Sequence, residues 1–392
     1  MRYDCVVVGA GPAGSTAARY LARGGMSVLM LEKRPDIGSP VRCGEGISRD
    51  WLGELGITPS DRWVDNEVKG ARIFGPSGNN YISVSASMAG NEVGYVIERD
   101  KFDKYLASMA ADAGADIMVK TPAVDAIVDA GGVVGVKARV GGRLEDIRCD
   151  FVLACDGFES EFARWAGMKD FLLPPSDMVS ALQYRLRGIS CDRDYVDFHF
   201  GSIAPGGYIW VFPKSEGEAN VGIGVNLSRA GKGMAKELLD SFIKRNPALS
   251  RGKPIQVVSG GVSVSKVRKR LHMPGLLVVG DAARLIDPLT GGGISNACIS
   301  GKMAAESILL SRDRQEAGQI YEDRVRERFE VPHMRGWFMK EKLMEVSDEL
   351  IEAVVDALHS VDLGTFSPQE LINAVASTRP SLMEEIRRFA GL

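Results

Sequence analysis

The sequence predicts a mixed α/β fold in which a Rossmann-type dinucleotide-binding domain is interleaved with an antiparallel-sheet domain and followed by a helical C-terminal region. Three observations carry this expectation. An apolar run leading into G-x-G-x-x-G opens the chain, segments of period-two alternation fill its middle, and helical periodicity takes over from about Asp313. The length of 392 residues suits two or three domains, at roughly 100–200 residues per domain. The balance of 45% apolar and 25% charged residues is that of an ordinary globular chain. With 48 basic residues against 51 acidic ones there is no electrostatic footprint for nucleic acid, and none is expected as a partner.

The first element is a strand over Tyr3–Val8. It runs into Gly9-Ala10-Gly11-Pro12-Ala13-Gly14 and then an alanine-rich helix that stops at Gly24. Gly9 permits the tight turn, Gly11 lets backbone N–H groups approach a pyrophosphate, and Gly14 lets helix and strand pack closely. Gly9, Gly11, Ala13 and Gly14 are therefore candidate cofactor contacts at a helix N-terminus, where negative charge is favoured. A second strand, Ser27–Leu31, ends at Glu32, 18 residues past Gly14. An acidic side chain at about this distance is expected on ribose hydroxyls.

A comparable element recurs late in the chain. The apolar run Gly275–Val279 reaches Gly280-Asp281, and Gly291-Gly292-Gly293-Ile294 precedes a helix from about Ser295. These glycines again expose backbone N–H groups at a helix start. Between them lie strands punctuated by Gly131-Gly132 and Gly141-Gly142, which signal hairpins. Further strands are expected at Gly70–Gly75 and from Ser180 to about Val264. The six cysteines form no C-x-x-C pair and the four histidines have no ligand spacing, so no metal is expected. No apolar run approaches the ~20 residues of a membrane span and the N-terminal run is too short for a signal sequence, which predicts a cytoplasmic protein.

The set Gly9/Gly11/Gly14, Asp156-Gly157 after an apolar strand, and Gly280-Asp281 resembles the flavoprotein family of para-hydroxybenzoate hydroxylase type. That resemblance implies FAD as the cofactor, with Asp281 on the flavin-side ribose, Gly293 and Ile294 near the isoalloxazine, Asp156 in the mid-chain fingerprint and Ala123 passing the adenine. It also implies that Arg99, in Glu98-Arg99-Asp100-Lys101-Phe102-Asp103, packs beside the FAD phosphates. The resulting division is residues 1–63, 99–175 and 266–312 for the FAD domain, 64–98 and 176–265 for the catalytic sheet, and 313–392 for the helical region.

Two local features narrow the resemblance. Cys43-Gly44-Glu45-Gly46 and Pro205-x-x-Tyr208-x-Trp210-x-Phe212-Pro213 are similar to segments of geranylgeranyl reductases, and the length and ending most resemble the archaeal digeranylgeranylglycerophospholipid members of that family. On a strand, Tyr208, Trp210 and Phe212 fall on one face and make an aromatic wall. Such a wall suits a polyisoprenoid without polar handles, which is held by burial of apolar surface. Cys43 is the candidate for supplying a proton, with Glu45 expected to position Arg42 or a water. Cys43, Gly44 and Gly46 are also expected beside FAD, and Arg335 at the phosphate of a lipid headgroup.

The implied activity is reduction of isoprenoid double bonds in geranylgeranyl chains of a prenylated glycerophospholipid. NAD(P)H, a ferredoxin or a deazaflavin would be the electron donor, since Gly222-x-Gly224 lacks a third glycine, and contact with the membrane would be peripheral. Two other readings fit the same frame: a flavin-dependent aromatic hydroxylase or halogenase, and a prenyl-binding carrier without redox chemistry.

Overall fold

The N-terminal apolar run forms the strand Arg2–Val8, and Cys5, Val6 and Val7 are wholly buried because neighbours cover both faces. Arg143–Ala154 pairs with it in parallel on one side and Val28–Leu31 on the other. Leu276–Val278 and Asp116–Met118 extend this parallel core outward. Two hairpins joining Ala123–Asp129, Gly132–Val140 and Arg143–Ala154, with the short strand His272–Met273 paired to Leu276–Val278, complete an eight-stranded sheet. The computed structural model describes residues 1–87, 93–169, 172–359, 375, 379–382 and 384–385.

The glycine fingerprint behaves as the spacing predicts. Gly9 has φ +104°, and a Cβ there would lie 2.4 Å from the Cys155 carbonyl oxygen. A Cβ at Gly14 would lie 1.9 Å from the Gly9 carbonyl oxygen, whereas at Gly11 it would meet nothing within 4 Å. Gly9 and Gly14 close the strand–helix packing, and Gly11 keeps the approach to the helix start open. Pro12 begins the helix Pro12–Arg23, whose first N–H groups have no side-chain cap. The long helix Ile294–Leu310 packs against it, close enough that a Cβ on Gly301 would reach 2.3 Å from the Ala13 carbonyl oxygen.

A second, seven-stranded sheet runs in the order Lys253–Ser263, Met178–Arg187, Glu218–Asn226, Ile209–Pro213, Tyr195–His199, Gly70–Phe74 and Tyr81–Ser85. All its pairs are antiparallel except Tyr195–His199 with Gly70–Phe74. A small third sheet of Gly46–Ile47, Tyr95–Ile97 and Val64–Glu67 stitches the loop after Cys43 to the start of the helix Arg99–Asp112. This is the mixed α/β arrangement the sequence predicts.

The C-terminal helices Arg314–Val325 and Asp348–Leu358 begin at side-chain caps, whereas Val331–Leu343 has none and continues from the π-helical turn Arg326–Glu330. Asp313 accepts from the N–H groups of Gln315 and Glu316 at 2.9 Å, and Ser347 accepts from that of Leu350 at 3.1 Å. The Tyr321 hydroxyl fastens this region to the parallel sheet through the Val278 carbonyl at 2.9 Å. Asp348–Leu358 places Val355 and Leu358 on Ile82 and Val84 of the second sheet. Near the end of the chain Pro380–Leu382 forms a single 3₁₀ turn, and most of the segment before it lies outside the described residues.

Candidate active site

A cavity of about 380 Å³ opens between the two large sheets. The turn Gly11-Pro12-Ala13 and the segment Gly291–Ile294 both reach it, so two helix starts without side-chain caps face one space. Asp281 and Arg99 line it as well. Burial pushes the Asp281 carboxyl up to about 6 against the opposing pull of Arg99. The Arg99 guanidinium is held by Asp103 at 2.9 and 3.0 Å. An uncovered glycine turn, two helix N-termini and a recessed carboxylate fit an elongated ligand with phosphates near one helix and hydroxyl groups near Asp281.

The loop Arg42–Gly46 lines the cavity and packs directly on the second sheet, to which two of its carbonyls are bonded. The Gln183 amide donates to the Cys43 carbonyl at 3.1 Å, and its oxygen accepts from the Trp210 indole N–H at 2.8 Å. The Asn220 amide donates to the Gly44 carbonyl at 3.1 Å. The Glu45 N–H donates to Cys43 Sγ at 3.2 Å. Burial raises the Cys43 thiol above its ordinary value, and the nearby Arg99 pulls the other way. The group therefore stays protonated at neutral pH.

Behind the loop lies a buried ion network. Lys214, fully inaccessible, reaches Glu45 at 2.7 Å, Glu98 at 3.1 Å and the Ile97 carbonyl at 3.0 Å. Glu45 also accepts from Asn220 at 2.6 Å and from the backbone N–H of Arg99 at 2.8 Å. Arg185 binds both oxygens of Glu98 and also contacts Glu218, which Arg187 holds at 2.9 Å. Burial works to raise the Glu98 carboxyl, yet Arg185 and Lys214 together hold it below its ordinary value. Glu45 sits at φ +76°, so the network stabilises a backbone turn that a non-glycine residue rarely adopts.

Tyr208, Trp210 and Phe212 all line the cavity, with ring centroids 6.0 Å apart for the first pair and 6.4 Å for the second. Trp210 is seated by missing side chains. A Cβ on Gly222 would fall 2.2 Å from its ring. The Tyr208 hydroxyl donates to the Thr290 carbonyl, joining the aromatic wall to the loop before Gly293.

Comparison with known proteins places the chain. Residues 177–262 match the family model for the geranylgeranyl reductase catalytic domain, and residues 7–45 match that for an NAD(P)-binding Rossmann-like domain. The digeranylgeranylglycerophospholipid reductases of Picrophilus torridus and Thermoplasma acidophilum are each 52% identical, over 98% of this chain and 98% of theirs. The chain belongs to the digeranylgeranylglycerophospholipid reductase family. The member from Methanothrix thermoacetophila is 40% identical over 99% of this chain and all of its own. A crystal structure of a geranylgeranyl bacteriochlorophyll reductase-like protein from T. acidophilum superposes with a TM-score of 0.90 at 51% identity, over 99% of both chains. The flavin-dependent brominase Bmp2, at 19% identity over 99% of this chain and all of its own with a TM-score of 0.69, shares the fold.

In this geranylgeranyl reductase frame the candidate residues separate. Gly11, Ala13, Cys43, Gly44, Glu45, Gly46, Arg99, Asp281, Gly293, Ile294 and the three aromatics meet at one cavity. Gly9 and Gly14 shape its floor from behind. Four others do not line it. The Glu32 carboxylate accepts from the N–H groups of Ala10 at 3.1 Å and Arg34 at 2.9 Å. One oxygen of Asp156 accepts from the N–H groups of Glu161 and Phe162 at a helix start, while the other is buried with no protein partner. Ala123 opens a strand opposite Ala138. Arg335 is exposed on the helix Val331–Leu343, and Lys340, five residues on and turned to another face, lines the cavity instead.

One expectation needs correction. Glu45 does not position Arg42, which instead pairs with Glu159 at 3.1 Å; Glu45 is taken by Lys214 because a buried carboxylate needs a buried cation. Gly222-x-Gly224, set aside as a nucleotide turn for want of a third glycine, lies inside the strand Glu218–Asn226 and receives the Trp210 ring. Lys214, Asn220 and Gln183 escaped the sequence reading. The alternation Tyr208, Trp210, Phe212, Lys214 was the available signal, since it carries the inward face one step further to a lysine.

Proposed function

We propose that the chain is an FAD-dependent reductase that saturates isoprenoid double bonds in the geranylgeranyl chains of glycerophospholipids. The observation that carries the reading is the loop Cys43–Gly46 clamped against the aromatic wall of Trp210 and Phe212. A Cβ on Gly44 would sit 3.1 Å from the Phe212 ring and 3.5 Å from the Trp210 indole nitrogen. Gly11, Ala13, Arg99, Asp281, Gly293 and Ile294 would hold FAD, which when bound and reduced supplies a hydride.

The chain's own contribution is a proton and an oriented apolar channel. Cys43 carries a proton at Sγ that burial keeps in place. Once it leaves, the thiolate is met by the Glu45 N–H and by the charge of Arg99. The wall of Tyr208, Trp210 and Phe212 offers the isoprenoid a dry surface, and Gln183 fixes both the wall and the loop. Burial of the chain at about 25 cal/mol per Å² of apolar surface supplies the affinity. The phospholipid substrate implies peripheral contact with a membrane; among the described residues no helix is long and apolar enough to cross one.

The test is an anaerobic titration of the dithionite-reduced holoprotein with digeranylgeranylglycerophospholipid. Flavin reoxidation with a gain of two mass units per double bond is expected, and Cys43→Ala is expected to retain its flavin but lose most turnover. A flavin that stays reduced until dioxygen enters would overturn the reading in favour of a monooxygenase.

A further inference from the structure

A second cavity, of about 410 Å³, borders the helix Val331–Leu343. Lys266, Lys269, Arg284 and Arg326 line it against two carboxylates, Asp177 and Glu330. Both carboxylates are already occupied within the fold. Asp177 accepts from the Trp337 indole at 2.9 Å and from Lys340 at 3.0 Å, and Glu330 pairs with Arg326 at 3.2 Å. The Lys266 ammonium stands 3.9 Å from the centre of the Trp337 ring. Lys266 and Lys269 are exposed, so the cavity presents a net positive face to solvent.

Around this charge the surface is unusually apolar. Leu172 is 95% exposed, and Val331, Met334 and Phe338 are each about half exposed. The last three lie at i, i+3 and i+7, which puts them on one stripe of the helix. Leu172 and Met334 line the same cavity as the cations, and Lys342 lies 5.6 Å from the Phe338 ring. The same helix also walls the catalytic cavity. Lys340 lines that cavity directly, and Gly336 abuts Pro288 and Leu289, which line it too.

We propose that this helix face docks on a bilayer of anionic glycerophospholipids, with Leu172, Val331, Met334 and Phe338 entering the acyl boundary and Lys266 and Lys269 meeting headgroup phosphates. Exposed apolar side chains ringed by cations are the combination that an anionic bilayer surface stabilises on both counts. Because one helix carries both the stripe and a wall of the active site, a prenyl chain leaving the bilayer there has a short path to the cavity. The inference rests on the lipid-reductase reading for its purpose but not for its test.

The experiment is co-sedimentation of the holoprotein with vesicles of phosphatidylglycerol and, separately, of phosphatidylcholine. Binding to phosphatidylglycerol that weakens with salt is expected, falling about tenfold or more for the pair Met334→Glu and Phe338→Glu. Lys266→Gln and Lys269→Gln should each cost roughly fivefold, the fold-change of about 1 kcal/mol per basic residue. Phe338→Trp keeps the apolar stripe and should give indole emission quenched by brominated phosphatidylglycerol, which guards against a glutamate variant that fails to fold. Vesicle binding equal to wild type in the glutamate pair, or an unquenched Phe338→Trp indole, overturns the proposal. So does a dimer in solution that the glutamate pair dissolves, which would make the face a subunit interface. Turnover of detergent-dispersed substrate should survive in the glutamate pair; its absence in wild type would sink the reductase reading and leave the vesicle result standing.

Discussion

Replacing Lys214 with methionine tests the buried network directly. The substitution keeps the length of the side chain and removes its charge. Glu98 retains both contacts to Arg185, but Glu45 is left with only the Asn220 amide and the Arg99 N–H. Removing one partner from a buried ion pair costs roughly 3–5 kcal/mol, because the remaining charge is desolvated without compensation. At about 2–3 °C per kcal/mol for a chain of this size, the melting midpoint should fall by roughly 6–15 °C. Calorimetric melts of both proteins at neutral pH measure this. Adding Glu45→Gln should recover at least half of the lost midpoint, since the charge without a partner is gone. A double variant no better than Lys214→Met would refute the argument that charge compensation at Glu45 is what Lys214 supplies.

Three further outcomes follow from the same structure. His199 is stacked on Phe74 with centroids 4.5 Å apart, and burial followed by the nearby Arg72 lowers it to about 4. Its ring must stay neutral in the fold, so its contribution is fully present above 6.5 and is lost as pH falls toward 4, a penalty of roughly 3 kcal/mol that His199→Leu should erase from an acid titration of stability. Asp281→Asn removes a carboxyl that burial raises to about 6, so the flavin-free variant should melt above the flavin-free wild type at pH values over 6 while retaining less FAD by absorbance after gel filtration; a variant that melts lower would contradict the burial argument. Gly222→Ala drives a methyl into the Trp210 ring, costing about 1–3 kcal/mol in thermal melts. Combining it with Trp210→Phe should restore most of that loss, and an equal loss in both backgrounds would mean that Gly222 serves something other than the indole.

How far the sequence could be read depends on the range over which each feature is determined. The strand–turn–helix at Gly9–Gly14 and the glycines before Ile294 are written locally, because a tight turn or a close approach restricts the residue at that position whatever surrounds it. The hairpins at Gly131-Gly132 and Gly141-Gly142 are of the same kind. Cys43, Glu45 and the aromatic triad stood out through motif, and one cavity gathers them. Lys214 carries no local mark. Its carboxylate partner Glu45 lies 169 residues away, and a strand lysine is ordinarily solvated. Gln183 and Asn220 contact the loop from 140 and 176 residues away. Gly222-x-Gly224 is of the same long-range kind: the lack of a third glycine set it aside as a nucleotide turn, but its cause, a tryptophan on the neighbouring strand, carries no local mark. The polar groups that hold the loop Cys43–Gly46 in place thus come from strands of the second sheet, whereas Gly11, Asp281 and Gly293 belong to the parallel-sheet half. The orientation of Cys43 against the cavity is accordingly a property of how the two sheets dock. Substitutions in strands of the second sheet, at Gln183 or Asn220, are expected to move the Cys43 thiol as surely as changes beside it.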